Sequence, residues 1–91
     1  MTYRVTLAPA VARTLGKLRG PQIVALRGTI LALADDPRPR GCRKLRGRDL
    51  YRIRLRIDGL PWRLVYQIRD ADQVLLVTHV ARRDEGTYRR L

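Results

Sequence analysis

Several things are scarce in this chain, and each scarcity excludes a class of protein. One cysteine, Cys42, cannot close an internal disulfide, and with one histidine, His79, it cannot complete a structural zinc site of the usual ligand set. Disulfide-stapled scaffolds and common metalloenzymes are therefore out, and no metal or other cofactor is expected. No apolar run approaches the roughly 20 residues that a membrane-crossing helix needs. Met1-Thr2-Tyr3-Arg4 leads into no signal-peptide core. The expectation is a soluble, cytoplasmic chain without membrane contact. Acids are also few: 8 Asp and Glu stand against 20 Lys and Arg, a formal net charge of +12.

What is present fits one small domain spanning residues 1–91. The chain is 45% hydrophobic, enough for a core, although a domain of this length is thermodynamically marginal without a partner. Its charge calls for a polyanionic partner: nucleic acid, an anionic surface or an acidic protein. Only Lys17 and Lys44 among the basic residues are not arginine. Arginine-rich coding bias accounts for such a ratio as readily as function does. Arginine nonetheless adds bidentate phosphate recognition and stacking that lysine does less well.

The charge is unevenly placed. Residues 1–34 contain no acid, and residues 38–56 hold Arg38, Arg40, Arg43, Lys44, Arg46, Arg48, Arg52, Arg54 and Arg56 against Asp49 alone. Tyr3 to Leu7 alternates and reads as a strand. Pro9 opens a helix with Val11, Leu15 and Leu18 on one stripe, ending near Gly20; Pro21 opens a second with Ile23, Leu26, Ile30 and Leu33. Asp36-Pro37-Arg38-Pro39 stops it. Period two then takes over. Arg43-Lys44-Leu45 is a short strand candidate, and Leu50 to Ile57 alternates, with Tyr51, Ile53, Leu55 and Ile57 opposite Arg52, Arg54 and Arg56. Asp58 to Pro61 reads as a four-residue turn, and Trp62 to Ile68 as the next strand. Val74 to Thr78 reads as a central strand covered on both faces, and Glu85 to Arg90 as a short helical turn. The fold class is α+β: an N-terminal strand, a helical hairpin on one face, then an antiparallel β-meander and a short tail.

Two features carry chemistry. Side chains two apart on a strand share a face and stand about 6.8 Å apart, comparable with the phosphate spacing along a nucleic-acid strand. Arg52, Arg54 and Arg56 therefore form a positive row, which Arg63 joins from the neighbouring strand. Like charges facing one another across a sheet repel, so stability alone does not favour the cluster; a solvated sheet face is the bland alternative. The second feature is the tail, where Arg82 and Arg83 precede Tyr88. Continuing the alternation of Leu75, Val77, His79 and Ala81 puts Arg83 on their face. Tyr88, five residues on, either packs as a tail aromatic or sits beside the arginines, where positive charge favours its phenolate. His79 reads as a strand residue rather than an acid–base group.

The chain resembles the RelE/ParE superfamily of type II toxins, on its RelE-like side. The resemblance rests on Asp36-Pro37-Arg38-Pro39 with Gly41, Lys44-Leu45-Arg46-Gly47, Tyr51-Arg52-Ile53-Arg54, Trp62-Arg63-Leu64-Val65-Tyr66-Gln67-Ile68, and Val80-Ala81-Arg82-Arg83 followed by Tyr88. It covers essentially the whole chain. It implies a RelE-like fold and a toxin that enters the ribosomal A site and cuts the bound mRNA by metal-independent 2′-hydroxyl attack, held inactive by a cognate antitoxin. By the same resemblance the catalytic set falls on Arg52, Arg54, Arg63, Arg83 and Tyr88, with Tyr88 as base and Arg83 near the leaving oxygen. Arg38, Arg40, Arg43, Lys44, Arg46, Arg48, Arg56 and Arg82 would then bind RNA and ribosome. The family often has lysine in the ladder and His-Arg in the tail; this chain has arginine throughout and Arg82-Arg83. Two other readings stand beside it: a ParE-like inhibitor of DNA gyrase, and a non-catalytic basic module that binds ribosome or antitoxin.

Overall fold

Proline opens both helices. Pro9 and Pro21 stand in the first turn, where the missing N–H has no intrahelical partner to lose. From them run α1 (Pro9–Lys17) and α2 (Pro21–Asp35) in the computed structural model, which describes residues 2–83. Gly20, the residue before α2, takes φ +60°, a left-handed conformation that glycine adopts without a β-carbon penalty. Among the described residues no helix is long and apolar enough to cross a membrane.

Five strands form one sheet: β1 (Arg4–Leu7), β2 (Arg43–Lys44), β3 (Tyr51–Ile57), β4 (Leu60–Arg69) and β5 (Val74–Arg82), in the order β1-β5-β4-β3-β2. The meander β2 to β5 is antiparallel as expected, while β1 returns parallel to β5, pairing Val5 with Leu75 and Leu7 with Val77. The anticipated four-residue turn is tighter than the sequence suggested. Asp58 (φ 53°) and Gly59 (φ 78°) alone connect the strands, and Leu60 already pairs with Ile57. Two consecutive positive φ values match the twist of the flanking strands, which is what favours two-residue hairpins. Leu60 and Pro61 therefore belong to β4, and Leu45 lies outside the short strand β2.

The core lies between the helices and one sheet face. Val11 of α1 and Leu26, Ile30 and Leu33 of α2 pack against Ile57, Trp62, Leu64, Tyr66, Ile68, Leu75, Val77 and Val80. The helical stripes are thus largely as the periodicity indicates, with Leu15 and Leu18 half-buried at its edge. Leu75 and Val77 are fully enclosed, whereas Val74 and Leu76 on the other face of β5 are half-buried.

A polar clamp ties the exit of α2 to the sheet. The Tyr66 hydroxyl donates to the Pro37 carbonyl at 2.7 Å, and Tyr66 stacks on Tyr51 with ring centroids 6.0 Å apart. Arg38 lies over Tyr51, 5.2 Å from the ring centre, and grips Asp70 with two hydrogen bonds of 2.8 and 3.2 Å. Tyr3 donates to the same carboxylate at 2.6 Å. The Arg38 guanidinium and then the Tyr3 hydroxyl hold the Asp70 carboxyl down at about 2. A carboxyl depressed by folding contributes stability above its unfolded value, near 3.9, and loses it as pH falls towards 2. Acid titration of wild type and Asp70→Asn should therefore converge in stability below pH 2 and differ above pH 4. Equal stability at pH 7 would show that the clamp contributes nothing.

Candidate active site

The sheet face away from the helices carries the arginines, and the strand register shows how. Arg43 of β2 is opposite Arg52 of β3, Arg52 is opposite Val65 of β4, and Val65 is opposite His79 of β5. The next row runs Arg54, Arg63, Ala81. Arg54 and Arg63 therefore face each other directly, an arrangement that costs stability. Arg52 and Arg63 are 8% and 2% exposed, so two guanidiniums of this face are buried while Arg54 and Arg56 are open to solvent. Burial holds a guanidinium in place and strengthens its field, because less water screens it.

A bulge in β5 decides what joins this face. Val65 pairs with His79 but the next residue, Tyr66, pairs with Val77, so Thr78 is an extra residue in β5. The face expected from unbroken alternation is thereby corrected. Leu75 and Val77 point into the core, whereas His79 and Ala81 lie on the arginine face, and the core side continues instead through Val80 and Arg82. Without the bulge, residues past Val77 would exchange faces. Arg83 follows directly after the end of β5; its Nε is buried and has no hydrogen-bond partner among the described residues.

The other basic residues are dispersed. Arg82 pairs with Trp62 on the helix side and borders a cleft of about 640 Å³ between α1 and β5. Arg38 belongs to the clamp, and Arg56 donates to the Gly59 carbonyl at 2.9 Å, bracing the β3–β4 turn. Lys44 is opposite Tyr51, off the arginine face, while Arg40, Arg46 and Arg48 are exposed in the segments flanking β2. Tyr88 and the tail turn lie outside the described residues.

Two features escaped the sequence reading. The Arg38–Asp70 pair joins residues 32 positions apart and leaves no local signature. The bulge does leave one: the buried residues of β5 are Leu75, Val77 and Val80, spaced by two and then by three. It also brings His79 to the arginine face. Desolvation, and then the Arg48 charge, push this imidazole below its ordinary range, which favours its neutral form.

A two-layer α+β domain with this strand order is the fold of a family of small toxins. The family model described as the ParE toxin of type II toxin–antitoxin systems, parDE, matches residues 5–86. Solved structures agree. A free mutant of the E. coli toxin RelE, with two arginines replaced by alanine, is 28% identical, covers 98% of this chain and 93% of its own, and superposes with a TM-score of 0.77. In the intact E. coli RelBE toxin–antitoxin complex the match is 31% identical over 87% of this chain and 94% of that one, with a TM-score of 0.73. The archaeal RelE–RelB complex of Pyrococcus horikoshii OT3 is 26% identical, covering 93% and 99%, with a TM-score of 0.72. No functionally curated protein matches the chain at a significant level. This chain belongs to the RelE/ParE superfamily of toxins of type II toxin–antitoxin systems.

Proposed function

We propose that the chain is a ribosome-dependent endoribonuclease that cuts mRNA in the A site by 2′-hydroxyl attack on the adjacent phosphate, without a metal ion. One observation supports this reading: Arg52, Arg54 and Arg63 occupy neighbouring register positions of one face. In-line attack builds negative charge on the phosphate oxygens. Fixed guanidiniums are matched to that charge and need no reorganisation when it appears. Holding the 2′-oxygen in line with the scissile bond supplies much of the remaining acceleration. Arg43, Arg46 and Arg48 extend the positive surface towards ribosomal RNA, and Arg83 is assigned to the leaving oxygen; by the family resemblance Tyr88 belongs to the same catalytic set. The toxin works in the cytoplasm, where its ribosomes are.

The partner follows from the same charge. RelE-type toxins have been solved with RelB antitoxins, from E. coli and P. horikoshii among others. For this chain the corresponding partner is a cognate antitoxin with an acidic, amphipathic segment that covers the basic surface. Binding would also stabilise a domain of this size by mass action.

The family model's description names ParE, which keeps one alternative beside this reading: a ParE-like toxin that poisons DNA gyrase. Inducing the chain and comparing message 5′ ends with DNA supercoiling separates the two. Codon-phased cuts in translated message support cleavage; intact message with altered supercoiling overturns it in favour of gyrase. Ribosome affinity should also fall steeply with salt, with a log–log slope of roughly −0.7 for each phosphate neutralised. A flat salt response, measured by sedimentation of toxin with ribosomes, would remove the arginine face as the RNA surface.

A further inference from the structure

Guanidiniums stabilise charge but make poor bases, since an arginine keeps its proton to a pKa above about 12. The attacking 2′-hydroxyl nevertheless has to lose a proton. The family resemblance gives that task to Tyr88, whose phenol, ordinarily near 10, would have to be drawn down about three units to act at neutral pH. The arginine face holds a group that needs no such displacement.

His79 reaches this face only because Thr78 is an extra residue in β5. The same threonine fixes the imidazole. Its hydroxyl donates its one proton to the Val65 carbonyl at 3.2 Å, and its oxygen lies 3.0 Å from His79 Nδ1. With that proton committed, the oxygen can only accept from the ring. Nδ1 must therefore carry the hydrogen, which leaves the Nε2 lone pair available in the neutral imidazole. His79 is half-buried and borders the cleft along the stretch of β5 beyond Val77, where pairing with β1 has ended. In the adjacent register positions lie Arg52 of β3 and Arg63 of β4; Arg48, with its neighbour Asp49 in the β2–β3 loop, acts on the imidazole through its charge, and Lys17 of α1 lines the same cleft.

We propose that His79 is a catalytic base of the arginine face, held by Thr78 as the Nδ1–H tautomer with Nε2 directed to the substrate's 2′-hydroxyl; the proposal rests on the RNA-cleavage reading above. Nε2 takes the 2′-hydroxyl proton as the 2′-oxygen bonds to phosphorus. The bond from phosphorus to the 5′-oxygen breaks, leaving a 2′,3′-cyclic phosphate, and the departing 5′-oxygen takes a proton from water. The imidazolium then returns its proton to the hydroxide so formed. Burial first, and then the Arg48 charge, lower the imidazole pKa and so favour the unprotonated ring that a base requires.

The test exploits the fact that the chain has one histidine. Long-range 1H–15N correlation of the full chain should show the Nδ1–H tautomer, and Thr78→Ser should keep it while Thr78→Val loses the bias. In single-turnover cleavage on message-programmed ribosomes, the wild-type rate should rise with pH through an acid limb below the ordinary imidazole range and then level off. His79→Gln should lower the plateau by about 10²-fold or more and abolish that limb, while Tyr88→Phe leaves the limb in place. His79→Asn and the tautomer spectrum maintain the test if the glutamine variant melts early. An Nε2–H tautomer, or an unchanged acid limb in a folded His79 variant, overturns the proposal. A wild-type chain that cuts no message at any pH overturns the cleavage reading itself, and the base role with it.

Discussion

Replacing Arg54 by alanine should lower message cleavage by 10²- to 10³-fold while leaving the melting temperature unchanged or higher. The two halves of this expectation have one cause. Arg54 is directly opposite Arg63, and like charges in that position work against the fold; Arg54 is also solvent-exposed, where substitutions usually change stability by no more than about 0.5 kcal/mol. In the proposed reaction the same guanidinium would meet a phosphate that is gaining charge, and losing one such donor costs roughly 10²- to 10³-fold. Rates on programmed ribosomes and a thermal melt of the same preparation check both halves. A variant that melts well below wild type would mean that Arg54 is structural, and full activity would remove it from the site. Arg63→Ala should not separate the two effects, because Arg63 is 2% exposed and its removal also empties a buried space.

The second large effect concerns the fold alone. Leu75→Ala should cost about 2–5 kcal/mol, the range for truncating an enclosed leucine. Leu75 is fully buried on β5 between β1 and β4, so neighbours on both sides restrict collapse around the cavity. Against a total of roughly 5–15 kcal/mol for a domain, this variant should be substantially less stable in urea melts than wild type. Antitoxin in excess should restore part of the loss by binding only the folded form. A loss below 1 kcal/mol would mean that the core repacks freely around β5.

Much of the architecture was legible because period and punctuation agree. Pro9 and Pro21 open helices, Asp36 to Pro39 closes the second, and the alternation from Tyr51 to Ile57 separates the arginines from the core side. The parallel pairing of β1 with β5 was not legible, since it joins chain segments some 70 residues apart with no local cue. The arginine ladder was read correctly up to Arg63, and the face of Arg83 was reached by faulty reasoning. Unbroken alternation would have placed it with Leu75 and Val77, which are core residues, whereas the bulge puts His79 and Ala81 on the opposite face from them. Arg38 and Arg56 looked like RNA contacts by their charge, but their hydrogen bonds hold the clamp and the β3–β4 turn. Their contribution to RNA binding has to be weighed against those bonds. Tyr88 lies beyond the described residues.

The extra residue at Thr78 has a consequence for how this chain tolerates change in length. A strand counts by parity, so one inserted residue reassigns every later side chain to the opposite side. β5 already contains one such insertion, and it is what keeps Val80 in the core beyond it while His79 and Ala81 face the charged surface. Deleting Thr78 would remove a part-buried hydroxyl and, at the same stroke, turn Val80 outward and His79 and Ala81 inward. Adding one residue anywhere between Thr78 and Arg83 would do the same to whatever follows it. Variants of this toxin that differ in length should therefore preserve the spacing of three from Val77 to Val80 and place their gains and losses in the turns, where parity has no meaning.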